Sequence, residues 1–246
     1  PHGCDYYDAI TVGEKLARDS RFFLEGGAKN IARRDGMGTT LLSFAEETQR
    51  IPDAYFQAVG SGTGAIAAWE NAQRLEADGR FGSNKMRVYV AQNAPFTLIA
   101  DSWKAGSREL ASLSPEVGRR NAEMVLAKVL ANRKPPYSLA GGLYDVLTAS
   151  NGACLTCSND ELLYSMLLFR NLEGYDLLPA ACCAVSSLIN AVHSGLVKKD
   201  EFIMLNCTGG GSMASMSMGY KLKEPDLIVS PDVDDDELIR EVNRLF

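Results

Sequence analysis

The run Tyr55-Phe56-Gln57-Ala58-Val59-Gly60-Ser61-Gly62-Thr63-Gly64-Ala65-Ile66-Ala67-Ala68-Trp69-Glu70 opens as an apolar, strand-forming segment. It breaks into three glycines interleaved with two hydroxyl residues, then continues in a helical pattern through Ile66, Trp69, Ala72 and Gln73. A strand that turns through such a loop into a helix brings backbone N–H groups to one point, where the helix dipole adds partial positive charge. Glycine allows positive φ and lets a ligand approach the backbone closely. Ser61 and Thr63 can add hydroxyl donors. Gly60, Ser61, Gly62, Thr63 and Gly64 together predict a phosphate cradle.

Three familiar uses of such a loop can be tested on the residues. A nucleotide P-loop needs a lysine after its last glycine, and Ala65 follows Gly64. A dinucleotide fingerprint is formally met by Gly60, Gly62 and Ala65. The next strand candidate, residues 86–90, however runs into Ala91-Gln92-Asn93, where an acidic residue should hold the ribose. A serine nucleophile elbow needs glycines two residues either side of the serine, and Ser61 has Val59 and Thr63 there. A small phosphorylated ligand or cofactor is left, beside the plainer reading of a glycine-rich turn with no ligand.

With 246 residues the chain can bury a sizeable core in one large domain or two small ones. Its 46% hydrophobic and 23% charged residues are those of a soluble globular protein. A net charge of −6 without a dense Lys/Arg stripe argues against nucleic acid or an anionic membrane as partner. There is no run of about 18 apolar residues to span a bilayer. The cysteines sit mostly inside apolar stretches, which fits core packing in a reducing cytoplasm. Cys154 and Cys157 form a Cys-x-x-Cys pair, but no second pair or nearby histidine completes a metal set, and no metal is expected.

Outward from the cradle, residues 6–18 predict a helix, Arg21 to Glu25 a short strand, and Lys29 to Thr39 a charged, glycine-rich loop. A helix is expected from about Thr39 to Arg50, burying Leu41, Leu42, Phe44 and Ala45. Beyond the strand at 86–90, helices are expected over 103–111 and, from Pro115, over 116–132. Tyr137 to Asp145 predicts a loop against the site. Residues 153–157 predict a strand of small residues, and Ser158 with Glu161 a capping box that opens a helix. A helix of small residues follows Pro179. His193 near its end reads as a surface, dipole-satisfying residue. Glu201 to Cys207 predicts a buried strand leading into a second glycine loop, Thr208-Gly209-Gly210-Gly211, and the acidic tail a last helix. Alternating strands and helices argue an α/β protein with a mainly parallel sheet, in which ligands bind beyond the strand C-termini.

Arg33…Gly36…Thr39, the Gly60–Gly64 loop opening a tryptophan-bearing helix, and Thr208-Gly209-Gly210 after a strand resemble threonine-synthase-like, fold-type II pyridoxal-phosphate enzymes. Within that group the segments Glu25 to Asn30, Arg33 to Thr39, Pro135-Pro136-Tyr137-Ser138 and Gly141 to Asp145 resemble the cysteate synthases of coenzyme M biosynthesis. The resemblance spans nearly the whole chain. It implies pyridoxal 5'-phosphate as cofactor, with Gly60, Ser61, Gly62, Thr63 and Gly64 on its phosphate and the Thr208 hydroxyl beside its pyridine nitrogen. It also implies β-replacement, O-phosphoserine and sulfite giving cysteate and phosphate, in a full-length homo-oligomer; a threonine synthase acting on phosphohomoserine is the alternative. The family's Schiff-base lysine and substrate-gripping asparagine loop have no counterpart motif here, and Lys29 does not match the lysine motif. The expectation is therefore a chain incomplete at its N-terminus and inactive alone. Residues 1–30 would end a small domain and 31–246 form the C-terminal part of the large cofactor-binding domain. A non-catalytic module that binds a phosphate ligand is the different-class alternative.

Overall fold

The computed structural model describes residues 4–221 and 223–245. In chain order these form α1 (Tyr6–Leu16), α2 (Ile31–Thr48), β1 (Ala54–Ala58), α3 (Thr63–Asp78), β2 (Arg87–Asn93), α4 (Leu98–Lys104) and α5 (Pro115–Met124). There follow α6 (Leu143–Ala149), β3 (Ala153–Cys157), α7 (Asn159–Glu173), α8 (Pro179–His193), β4 (Ile203–Leu205), α9 (Ser212–Ser217) and α10 (Asp235–Asn243). The strands make one parallel sheet in the order β3-β2-β1-β4. The chain steps from β1 outward through β2 to β3, then returns to the other side of β1 as β4. Strand order reverses between β1 and β4, and the loops leaving such a pair diverge and open a crevice beyond the strand C-termini. No helix among the described residues is long and apolar enough to cross a membrane.

Strand periodicity divides the core. Tyr55, Val59, Val88 and Val90 face Leu41, Ile66, Ile99 and Leu147 on the side of α2, α3, α4 and α6. On the opposite face Phe56 stacks on Tyr89 at 4.8 Å between ring centroids. There Ala58, Ala91 and Cys157 pack with Cys182, Cys183 and Ala184 of α8. The small residues of α8 let it lie close on the sheet, and β1, at its centre, is buried along its whole length.

Several local expectations are corrected. Arg21 to Glu25 forms a turn and irregular chain rather than a strand, with Phe23 88% exposed, and it pairs with neither edge of the sheet. The charged glycine segment after Lys29 is helical. Asn30 caps α2 by accepting the Arg33 N–H, so the helix begins eight residues earlier than the glycines suggest. Leu41 and Ala45 are fully buried, whereas Leu42 is exposed. The helix expected over 103–111 lies at Leu98–Lys104 because Gln92 Oε1 accepts the N–H groups of Ile99 and Ala100. α5 stops at Met124 although apolar spacing continues, because Asn93 Oδ1 captures the Leu126 and Ala127 N–H groups. Tyr137 to Asp145 begins as the expected loop, but its last residues start α6. The strand at 201–207 shortens to Ile203–Leu205 at the sheet edge, and only Met204 is buried. The cap box at Ser158 and Glu161 is present.

Candidate functional site

The phosphate-type loop leaves the C-terminus of β1 and the second glycine loop leaves that of β4, so both lie at the switch point. β1 and β4 pair Phe56 with Leu205, and the Asn206 N–H extends the ladder to Phe56 O at 2.9 Å. That register carries Gly60–Gly64 and Thr208 to the same end of the sheet.

Gly62 is the N-cap of α3 at φ 83°, a left-handed conformation, and its own side-chain-free backbone supplies no cap to the helix. The first-turn N–H groups of an α-helix have no intrahelical acceptor. Here the Thr63 N–H donates to Ser61 Oγ at 3.5 Å, and the first backbone bond back is Ile66 N–H to Gly62 O at 3.0 Å. Ser61 Oγ and Thr63 Oγ1 lie 2.9 Å apart, and Thr63 is buried while Ser61 is half-buried. Gly64 sits directly over Gln57: a Cβ there would lie 2.6 Å from Nε2 and 2.7 Å from Oε1 of that amide. The backbone of Leu130, in the 3-10 turn Lys128–Leu130, closes over Gly60. Leu143 of α6 packs on Gly62, which places the expected loop segment against the site.

Beneath both loops runs a hydrogen-bonded set that sequence reading treated only as strand residues. Asn206 Nδ2 donates to the Tyr55 hydroxyl at 2.7 Å, and that hydroxyl donates to Gln57 Oε1 at 2.5 Å. Tyr55 is fully buried. Burial pushes its hydroxyl well above the ordinary range, only partly offset by the Asn206 amide, so it remains a protonated donor. The signal available was a glutamine and a tyrosine two apart in an apolar strand, on one face, each obliged to find a partner when buried.

Thr208 itself is exposed, two residues beyond Asn206, as is Cys207. Its loop is clamped by the chain before α8. Leu178 N–H donates to Gly209 O and Gly211 N–H to Asp176 O, and a Cβ on Gly210 would fall 2.4 Å from Asp176 O. The positions where a dinucleotide site would place its ribose carboxylate are committed elsewhere. Gln92 caps α4, and Asn93 joins Cys157 O to the backbone of 126–127. Lys29 ends the 3-10 turn Gly27–Lys29 and is exposed. Cys157 Sγ lies 3.3 Å from Cys183 Sγ rather than beside Cys154, so the Cys-x-x-Cys residues are separate core groups. Among the described residues no cluster of side chains could hold a metal ion.

The donor set fits a phosphate monoester: helix-start N–H groups beyond Thr63 with no backbone acceptor, two hydroxyls, and glycines at points where a Cβ would collide. It also offers a hydroxyl at Thr208 beyond the adjacent strand.

The model of the family described as pyridoxal-phosphate dependent enzyme matches residues 2–209. The chain is 44% identical over 240 residues to a cysteate synthase of Methanosarcina barkeri, covering 96% of this chain and 58% of the relative. It is 49% identical over 211 residues to a cysteate synthase of Methanoculleus marisnigri, covering 84% and 48%. The chain thus spans about half the length of these curated relatives. Among solved structures it resembles an L-serine ammonia-lyase of Rhizomucor miehei, with TM-score 0.56, 15% identity, and 75% of this chain and 55% of the other covered. It also resembles the serine racemase of maize, with TM-score 0.52, 12% identity and 75% and 50% covered. At those identities the likeness is one of fold.

Proposed function

The chain belongs to the pyridoxal-phosphate dependent enzyme family, and from that premise we propose that it is the cofactor-holding, C-terminal part of an enzyme of the cysteate synthase type. The reaction is β-replacement: sulfite displaces the phosphate of O-phospho-L-serine, giving L-cysteate and phosphate. The observation that carries the reading is the pairing of two glycine loops on adjacent parallel strands at the sheet's switch point. When bound, the cofactor draws electrons from the α-carbon of an amino acid so that a group on the β-carbon can leave.

The residues of this chain have three tasks. Gly60 to Gly64, with the Ser61 and Thr63 hydroxyls, bind the cofactor's phosphate. Thr208 would hold the nitrogen side of the ring with a neutral hydroxyl, which cannot supply a full proton there and so would suit loss and replacement of a β-substituent. The backbone of Leu130, in the 3-10 turn Lys128–Leu130, covers one side of Gly60. We assign residues 1–30 to the end of a small domain and 31–246 to the large one, with a lysine and a carboxylate-gripping loop supplied by sequence outside this chain, and a homo-oligomer as the working form.

The test is an absorbance spectrum of the chain with pyridoxal 5'-phosphate, before and after borohydride, followed by a phosphate-release assay on the chain joined to the remaining portion of a cysteate synthase. A free-aldehyde spectrum for the chain alone, with sulfite-dependent phosphate release from O-phosphoserine by the joined protein, is the expected result. Release from O-phosphohomoserine without sulfite would instead make it a threonine synthase. Label fixed on a single lysine of this chain would refute the assignment of the lysine to outside sequence. The exposed position of Lys29 supports a second reading: a module that binds a phosphate ligand without transforming it, which predicts binding and no release with either substrate.

A further inference from the structure

We propose that Tyr55 and Asn206 are positioning residues that set the distance between the phosphate cradle and the Thr208 loop, so that one rigid ligand can touch both. The proposal rests on the cofactor reading above and extends it to residues that touch neither end of the ligand.

The two loops belong to different strands, and among the described residues no hydrogen bond joins them directly: Gly60–Gly64 runs on into α3, and Gly209–Gly211 is anchored instead to Asp176 and Leu178. The sheet ladder between β1 and β4 is short, pairing only Ala54, Tyr55 and Phe56 with Ile203, Met204 and Leu205 and adding the Asn206 N–H. Alongside it the side-chain path Asn206–Tyr55–Gln57 joins β4 to β1 beneath the two loops. Its far end is mechanical. The Gln57 amide fills the space next to Gly64, so a shift of Gln57 moves the first turn of α3. Its near end is covalent, since Asn206 stands two residues before Thr208. Tyr55 has no freedom to relax, being fully buried among Leu41, Ile66 and Val88. Each hydroxyl, amide and carbonyl in the path uses the next, and removal of one member leaves buried polar atoms unpaired at a cost that the neighbours must move to recover.

A device that only stabilised the fold would affect every ligand of the site alike. A device that sets the spacing penalises ligands that span both loops and spares those held by one. Two probes separate the cases: pyridoxine 5'-phosphate, which has ring nitrogen and phosphate but no aldehyde to react with lysine, and inorganic phosphate, which fits the cradle alone. Titration calorimetry of wild-type, Asn206→Ala and Tyr55→Phe proteins should show pyridoxine 5'-phosphate affinity falling about tenfold in each variant, the loss of roughly one hydrogen bond's worth of alignment. Inorganic phosphate affinity should change by less than about threefold, and the two substitutions combined should cost little more than either alone. Asn206 is half-buried, so its variant carries the test should Tyr55→Phe fail to fold.

Equal weakening of both ligands, or no weakening of pyridoxine 5'-phosphate, overturns the proposal while leaving the cofactor reading intact. Failure of the wild-type protein to bind pyridoxine 5'-phosphate at all overturns the cofactor reading and this proposal with it.

Discussion

The side-chain amide of Asn71 occupies the space that a Cβ on Gly38 would need: Nδ2 would lie 1.7 Å from it and Cγ 2.7 Å. α2 and α3 cross at this point, and Asn71 cannot yield, because it is buried and its Nδ2 donates to Ala67 O at 3.0 Å. Gly36, one half-turn earlier in α2, has nothing within 4 Å. The two glycines therefore predict opposite outcomes. Gly36→Ala should stabilise the protein by about 0.5–1 kcal/mol through helix propensity. Gly38→Ala should destabilise it by about 1–3 kcal/mol through overpacking. Urea unfolding with an unchanged slope checks both, and a stabilised Gly38→Ala protein would show that the helices can part at no cost.

Those glycines also explain where the sequence could be read and where it could not. Strands β1, β2 and β3 are short apolar runs bracketed by turn residues, and local composition suffices for them. The start of α7 is written in Ser158 and Glu161. By contrast Gly36 and Gly38 carry a loop's composition but a helix's geometry, and the reason sits 33 residues away from Gly38 at Asn71. Likewise the apolar spacing at Val125, Ala127, Val129 and Leu130 continues a helix that Asn93 interrupts from another strand. At the site, the glycines and hydroxyls marked the loop that leaves β1 and opens α3, since that spacing is local. The linkage through Tyr55 was hidden because it joins residues 151 apart in sequence.

Gly62 should be the least replaceable residue of the cradle. An alanine there must hold φ near 83° and place its Cβ 2.8 Å from Leu143 Cδ2. The left-handed conformation costs roughly 1–2 kcal/mol for a residue with a Cβ. Gly62→Ala should weaken inorganic phosphate binding by about tenfold or more, if that cost is met by displacing the loop. Leu143→Ala added to it should restore part of the loss, by removing the collision and not the backbone strain. Titration of the single and double variants tests this; an unaltered affinity for Gly62→Ala would mean that the loop does not hold the phosphate.

Thiol reactivity should divide the cysteines by depth rather than by the Cys-x-x-Cys spacing. Cys157, Cys182 and Cys183 are buried, and burial pushes the Cys182 thiol up to about 12. The hydrogen bond from Cys157, with burial, raises Cys183 well above its ordinary value. Burial likewise raises Cys154, whose residue is only half-buried but whose side chain packs against the core on the side of α3 and α6. The thiolate is the reactive form. Burial also raises the Cys207 thiol, but its residue is exposed; brief iodoacetamide treatment at pH 8 should therefore label Cys4, and Cys207 more slowly, in the native protein, and the remaining cysteines only in denaturant. Mass spectrometry of the labelled peptides decides it, and rapid native labelling of Cys154 or Cys157 would point to a reactive role for that pair.

Acid should release α1 from the rest of the protein. Asp8 is buried beside Arg119 at 3.1 Å and Arg133 at 2.7 Å, and Arg133 also binds Asp5 at 2.7 Å. Burial alone would raise the Asp8 carboxyl. The hydrogen bond from the Asp5 backbone and the two guanidinium groups outweigh it and hold the carboxyl below its ordinary value of 3.8. A carboxylate whose folded pKa is depressed binds fewer protons folded than unfolded, so its stabilisation is complete above the unfolded pKa near 4. It is lost as pH falls from there through the lower folded value. Asp8→Asn should therefore lower stability at pH 7 and flatten the acid limb, with the variant and wild-type curves converging as pH falls through the lowered folded value. Urea unfolding between pH 2.5 and about 7 measures this. A constant gap between the curves across that range would mean that the carboxylate's charge contributes nothing and that Asp8 acts only through its packing and its cap on the Asp5 N–H.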